Sequence, residues 1–326
     1  MRHILFPINA EKLPCRELKP NVFSRNGRSL VGIALGSGKS EEISSLVKAS
    51  VDLIGGIEKL EVKGREVLVK PNVNSDDPYP YTTNPLVVKS VVELLYGAGA
   101  KRVIAGDMSG IPWLPTKNCM AKTGIEKAAR EAGAEVVYFD DMEWVTVEPE
   151  RAIYAKSFQV PRVVYEAEKI VSIPVIKTHS IATYSMSLKN SVGITHPRNR
   201  RELHASEKME EMIAEYSLAI HPDLIIIDGT KSLVSGGPTS GTVGDTNLIL
   251  ASGDRIAIDL AGLSIVKSYK AWERVTGRDI SDQRQIKRAL ELKLGKGKGE
   301  IEVLGTSLAG EEKLDSLLNA IRREIA

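Results

Sequence analysis

The sequence predicts an α/β protein: a mainly parallel, Rossmann-like sheet with helices on both faces. Three observations predict it. Short apolar runs alternate along the chain with amphipathic segments of helical period. The run Ile170 to Ile176 is almost continuously apolar, as in a parallel strand covered on both faces. A chain of 326 residues buries roughly three quarters of its unfolded surface, so a full core forms without disulfide or metal staples.

Each element has its own signal. Residues 1–28 carry Pro7, Pro14, Pro20 and Gly27 with weak periodicity and read as an irregular N-terminal arm. Residues 29–326 read as the α/β domain, with 29–175 and 176–326 as candidate lobes. Strand 30–35 is followed by a helix over 41–54, stopped by Gly55-Gly56. After strand 66–70, Asn84-Pro85 opens a helix: Asn caps the first amides and Pro suits the first helical position. Strand 102–106, helix 124–132, strand 135–139 and the 170–176 run continue the alternation. Helices near 206–219, strands 224–227 and 248–251 and a helix over 254–268 follow. The tail reads as helix 281–292, strand 301–304 and helix 310–325.

Composition excludes several classes. The net charge is +2, from 44 basic and 42 acidic residues, and aromatic residues make up 5%. A nucleic-acid binder is more lopsided, so nucleic acid is not the expected partner and anion recognition falls to local clusters. No apolar run reaches the roughly 18 residues that span a bilayer, and residues 1–7 lack a signal peptide's apolar core. Cys15 and Cys119 form no CxxC pair and read as free thiols of a reducing compartment. The expectation is a cytoplasmic protein without a membrane partner; a homo-oligomer stays open.

Gly36-Ser37-Gly38-Lys39-Ser40 invites a phosphate-loop reading, but the spacing fails. That loop needs a Gly five residues before its Gly-Lys pair, and Ile33 stands there. A Gly/Ser turn before a helix is the simpler reading.

The candidate site residues cluster at strand ends, where open α/β sheets bind ligands. Lys70 and Asn72 stand two apart on an extended segment and so face one side. Lys177 and His179 repeat that spacing after the 170–176 run, and His179 can exchange protons near neutrality. Asp107 and Asp228 each close a short apolar strand and read as caps or ligand contacts. Lys189 and Asn190 lead into a basic loop in which Arg198, Arg200 and Arg201 form a local anion patch, followed by His204. Gly236-Gly237-Pro238 is a loop that lets backbone approach a ligand, or simply turns. Asp254 most simply caps its helix. Asp259 sits in an apolar stretch and needs a partner or a polar cavity.

These blocks together resemble the uncharacterised domain-of-unknown-function family 362. Val67 to Asn72 looks like its first signature. Lys177-Thr178-His179, then Ser187 to Asn190 with Gly193, looks like the second. His204, Pro222 to Asp228, Gly236-Gly237-Pro238 and Leu250 to Asp254 with Asp259 follow in the family's order. The likeness covers about residues 29 to 268 and implies an α/β body with a site near the Lys, His and Asn blocks. Many members add a cysteine-rich, ferredoxin-like segment for iron–sulfur clusters; the two cysteines here do not match one.

The expected function is an enzyme acting on a small anionic metabolite, a carboxylate or phosphate. Lys70, Lys177, Lys189 and Arg200 hold the anion, and His179 or His204 serves as general acid or base. Asn72 and Asn190 orient the substrate, while Asp107, Asp228 and Asp254 tune a His or contact the ligand. The reaction class expected is acid/base chemistry of the isomerase, racemase or lyase kind. No sequential spacing supports a metal site built from His179, His204 and an Asp, and no cofactor is identified. The alternative is a non-catalytic carrier of a cofactor or metal.

Overall fold

The structure is a computed structural model that describes residues 10–110 and 114–326. Residues 1–9 and 111–113, and with them the reading of the chain's start, lie outside the described residues.

One large sheet organises the chain. Its strands run in the order Ile301–Ser307, Arg28–Leu35, Leu248–Ser252, Leu224–Gly236, Lys169–Ile173, Glu66–Pro71, Arg102–Asp107, Glu135–Tyr138. Every neighbouring pair is parallel except those made by Leu248–Ser252, which runs against both of its neighbours. The mixed α/β class and mostly parallel sheet match the sequence reading. Strands from both sides of residue 175 share this sheet.

Alternation along each strand builds two cores. Val67 and Val69 face one layer with Val103, Ala105, Val171 and Ile226, under the helices Ile43–Leu53 and Pro85–Gly97. Leu68 faces the other with Ile104, Ile170 and Ile227, under the helix Arg255–Ser268. The expected start of the Pro85–Gly97 helix is present, with Asn84 Oδ1 accepting from the Leu86 amide.

Several boundaries differ from the sequence reading. Pro174 divides the 170–176 run, and a separate strand, Val175–His179, follows it. The helical stretch expected near 206–219 is the helix Met209–Tyr216, and the basic segment before it, read as a loop, is a helix of its own, Pro197–Ala205. A small second sheet joins Glu11–Leu13, Trp144–Val147 and Phe158–Pro161. The N-terminal arm is therefore partly regular. Arg16 also ties it down by donating to the carbonyls of Tyr165 and Ala167. Among the described residues no helix is long and apolar enough to cross a membrane.

Strand direction decides where polar ends go. The parallel strands bring the Lys70 and Asp107 ends to one edge of the sheet. Leu248–Ser252 points the other way and delivers Asp254 to the opposite edge, beside Ser29 at the start of its neighbour. There Asp254 accepts from Ser29 Oγ at 2.6 Å and from the amides of Ile256, Ala257 and Lys296. It is a helix cap that also holds the 295–296 turn, far from the other candidates by topology. Asp254→Ala is expected to cost about 2 kcal/mol, the upper end for loss of a cap. The check is a urea melt whose midpoint falls with an unchanged slope.

Candidate functional site

Two strand ends carry the first charges. The Lys70 ammonium lies 2.7 Å from Asp107 Oδ1, and both side chains are buried. Asp107 Oδ2 accepts from the Val73 amide at 2.7 Å, which pins the loop leaving the Glu66–Pro71 strand. Burial pulls the lysine below its ordinary range and pushes the carboxyl above its own, and each partner's charge opposes that drift.

Asn190 joins this pair to the next strand. Its Oδ1 accepts from Lys70 Nζ at 3.2 Å and Asn72 Nδ2 at 3.4 Å. Its Nδ2 donates to Ser172 Oγ at 2.9 Å. Asn72 Oδ1 in turn accepts from Lys177 Nζ at 2.7 Å, and Lys177 also donates to the Tyr81 carbonyl. A continuous hydrogen-bonded chain thus runs Asp107–Lys70–Asn190–Asn72–Lys177.

The short helix Ser187–Asn190 presents Lys189 and Asn190. Asp259, wholly buried in the Arg255–Ser268 helix, accepts from the amides of Ser187 and Leu188 at 2.7 and 3.0 Å. Burial raises this carboxyl to about 7. Its partners are therefore the exposed amides of a helix start, and the apolar neighbours seen in the sequence belong to its own helix.

A cavity of about 300 Å³ opens over this network, lined by Asn72, Asn74, Asp107, Lys177, His179, Ser185, Lys189, Gly193, Arg200 and His204 among others. That is room for roughly ten waters or one small metabolite. Lys177, Lys189 and Arg200 face a single carboxylate, Asp107, which is already paired. Desolvation lowers Lys177 to about 7, with the Lys189 charge adding to it, and lowers Lys189 to about 8, with Arg200 adding. Lys189 is half-buried, and among the described residues its ammonium has no hydrogen bond or ion pair.

The two histidines are held in opposite tautomers. His179 Nδ1 accepts from the amides of Ile181 and Ala182 at 3.2 and 3.1 Å. An acceptor Nδ1 leaves the ring proton on Nε2. Burial and the nearby Lys189 and Lys177 charges hold this imidazole far below its ordinary range, so it is neutral. His204 sits in the last turn of Pro197–Ala205 at the cavity mouth. Its Nδ1 lies 2.6 Å from the Arg200 carbonyl, which can only accept, so Nδ1 carries the proton and Nε2 holds a lone pair. Partial burial lowers this ring too.

Other candidates fall elsewhere. Lys70 and Asn190 lie beneath the cavity wall and support it. Asp228 accepts from the amides of Asn84 and Thr230 and anchors the cap of the Pro85–Gly97 helix. Asp254 is at the far edge. The expected arginine patch does not form. Arg200 is buried and donates to the carbonyls of Thr195, Met108 and Ser109, whereas Arg198 pairs with Glu202 on the exposed face. A helix separates adjacent side chains by about 100°, so Arg198 and Arg201, three apart, share the exposed face while Arg200, between them in sequence, is turned inward. Ser37 shows why its loop is no phosphate cradle: its amide and hydroxyl are both taken by Glu42.

Asn74 and Ser185 line the cavity without having stood out in the sequence. Asn74 extends the Lys70, Asn72 alternation by one more step, which was the available signal. Gly193 is required by space: a Cβ there would lie 2.5 Å from both Lys70 Nζ and Asp107 Oδ1.

Residues 67–264 match the family described as a domain of unknown function, DUF362. A thylakoid-associated protein of Synechocystis sp. is 24% identical over 251 residues, 72% of this chain and 74% of that protein. The lactate racemase apoprotein of Thermoanaerobacterium thermosaccharolyticum is 9% identical with a TM-score of 0.46, covering 93% of this chain and 87% of the other. A Thermotoga maritima crystal structure is 14% identical with a TM-score of 0.40, over 58% of this chain and half, 50%, of that protein's length.

The buried pair carries a stability test. Lys70→Met strands Asp107 without its cation and is expected to cost about 3–5 kcal/mol. Adding Asp107→Leu should recover a large part of that loss. Chemical denaturation of the two single variants and the double variant measures the coupling.

Proposed function

This chain belongs to the DUF362 family, and we propose that it is an enzyme moving a proton on a small anionic metabolite, a carboxylate or phosphate. The observation that carries the reading is the pair of opposite histidine tautomers in one cation-rich cavity. His204 Nε2 offers a lone pair at the mouth and serves as the general base. His179, neutral with its proton on Nε2, donates a hydrogen bond to the oxygen on which charge develops. Lys177, Lys189 and Arg200 supply the field that holds the anion. Asn72 acts through Lys177 by fixing the direction of its ammonium.

This division of labour narrows the earlier expectation for His179. A ring whose Nδ1 is occupied by two amides, surrounded by cations, is a poor place for a second proton. It polarises rather than abstracts. The chemistry is then proton removal next to a carbonyl, the opening step of an isomerase, racemase or lyase, with no redox change required.

Replacement of the base gives the direct test. In deuterated buffer, small 2-oxo carboxylates should gain deuterium on the carbon next to the keto carbonyl, and 2-hydroxy carboxylates on the hydroxyl-bearing carbon, in the presence of the protein, as read by NMR. His204→Gln should slow that exchange by about 10²–10⁴-fold while leaving binding of the same compound in place. Undiminished exchange in that variant removes His204 from the base role.

The lysines set a pH dependence. Each is cationic below its own value and neutral above it, so raising the pH through about 7 for Lys177 and about 8 for Lys189 drains the field. Affinity for oxalate, which stays fully ionised across this range, should fall in the same window by isothermal titration. A flat profile would place the anion elsewhere.

A further inference from the structure

The cavity holds one amine that the protein itself leaves without a partner. Lys70 is spent on Asp107, Asn190 and the Pro71 carbonyl. Lys177 is spent on Asn72 and the Tyr81 carbonyl. Arg200 is spent on three backbone carbonyls. Lys189 lines the same cavity, and among the described residues nothing accepts its hydrogen bonds. Its backbone is nevertheless held firmly: the Ser187–Asn190 helix is capped by the buried Asp259, and the next residue, Asn190, is locked between two strands. A fixed backbone with an unspent amine in a small polar hollow is how a nucleophilic lysine is presented.

We propose that Lys189 forms an imine with the carbonyl group of a small anionic substrate, a 2-oxo carboxylate or a phosphorylated aldehyde or ketone. This rests on the anionic-metabolite reading above and adds the covalent step to it. Lys189 first passes a proton to His204 Nε2. The Nζ lone pair then attacks the carbonyl carbon; a C–N bond forms and the C=O π pair moves to oxygen, which is protonated. The carbinolamine expels that oxygen as water and leaves a protonated imine. Overall, ammonium plus carbonyl gives iminium plus water, with no net proton and no oxidant or reductant. The iminium keeps the positive charge of the lysine, so the substrate anion retains its counter-charge after bonding. Burial, with the Arg200 charge adding to it, lowers this amine to about 8 and favours its neutral, nucleophilic form at the outset.

Borohydride reduction of the full chain in the presence of pyruvate or glyoxylate tests this. A stoichiometric mass increase on the peptide containing Lys189, suppressed by excess oxalate, is the expected result. Lys189→Arg keeps the charge and should still bind oxalate yet yield no adduct there, and its melting temperature shows that it folds. Oxalate binding without any adduct at Lys189 overturns the imine and leaves the anion site standing. An adduct scattered over exposed lysines, or centred on Lys177, also overturns it. Absence of both oxalate binding and adduct overturns the anion reading itself.

Discussion

The Lys70–Asp107 pair joins the carboxyl ends of two neighbouring parallel strands, and the cavity stands on it. An isolated buried ammonium or carboxylate is too costly to keep, so each residue is tolerable there only with the other in place. From Lys70 the constraint passes outward. Asn190 must face it to accept the next hydrogen bond, and Asn72 must face Asn190, which aims Asn72 Oδ1 at Lys177. Gly193 lies so close to the pair that a single methyl group would overlap both charged atoms. The floor of the site is thus one polar chain that starts at two neighbouring strand ends, passes through the Ser187–Asn190 helix and ends on the separate strand Val175–His179.

Above that floor, burial first and an excess of positive charge second explain the histidines. A desolvated cavity with three cations and a single, paired carboxylate penalises every further positive charge. Lys177 and Lys189 respond with lowered proton affinity, and both imidazoles are held neutral under ordinary conditions. Neutral imidazole is either donor or acceptor at a given nitrogen, and the backbone chooses which. Two amides after the Val175–His179 strand take Nδ1 of His179, while a helical carbonyl four residues back takes Nδ1–H of His204. Directionality in the site therefore comes from main-chain geometry, through rings of the same chemical type.

Much of this was readable from residue order. The parallel sheet, most of its strands and the capped helix at Asn84 follow from local patterns. So does the shared direction of Lys70 with Asn72 and of Lys177 with His179, because side chains two apart on an extended chain point the same way. What escaped the sequence depends on choices made over long distances. Nothing local says that Leu248–Ser252 runs antiparallel, and that one reversal moves Asp254 to the far edge. The three arginines after His196 look like a patch until the Pro197–Ala205 helix turns Arg200 away from the exposed Arg198 and Arg201, and Arg200 is drawn inward by carbonyls from residues 108 and 109, about ninety positions earlier. The Trp144–Val147 and Phe158–Pro161 strands are short, and their partner is an N-terminal segment that resembles a loop.

The same reasoning separates residues that hold the site from residues left open for chemistry. Every buried polar group with a full set of protein partners has its hydrogen-bonding capacity consumed by the fold. Lys70, Asn190, Asp228, Asp254, Asp259 and Arg200 belong to that class, however suggestive their residue types. Capacity left over at the cavity wall is what a ligand can use; among the described residues it includes Nζ of Lys189, Nε2–H of His179, Nε2 of His204, the remaining N–H of Lys177 and the side chains of Asn74 and Ser185. These comprise cations and N–H donors, the His204 lone pair, and an amide and a hydroxyl that both donate and accept. On the proposed reading the cations and N–H donors meet the oxygens of an anion and the His204 lone pair meets its activated C–H bond.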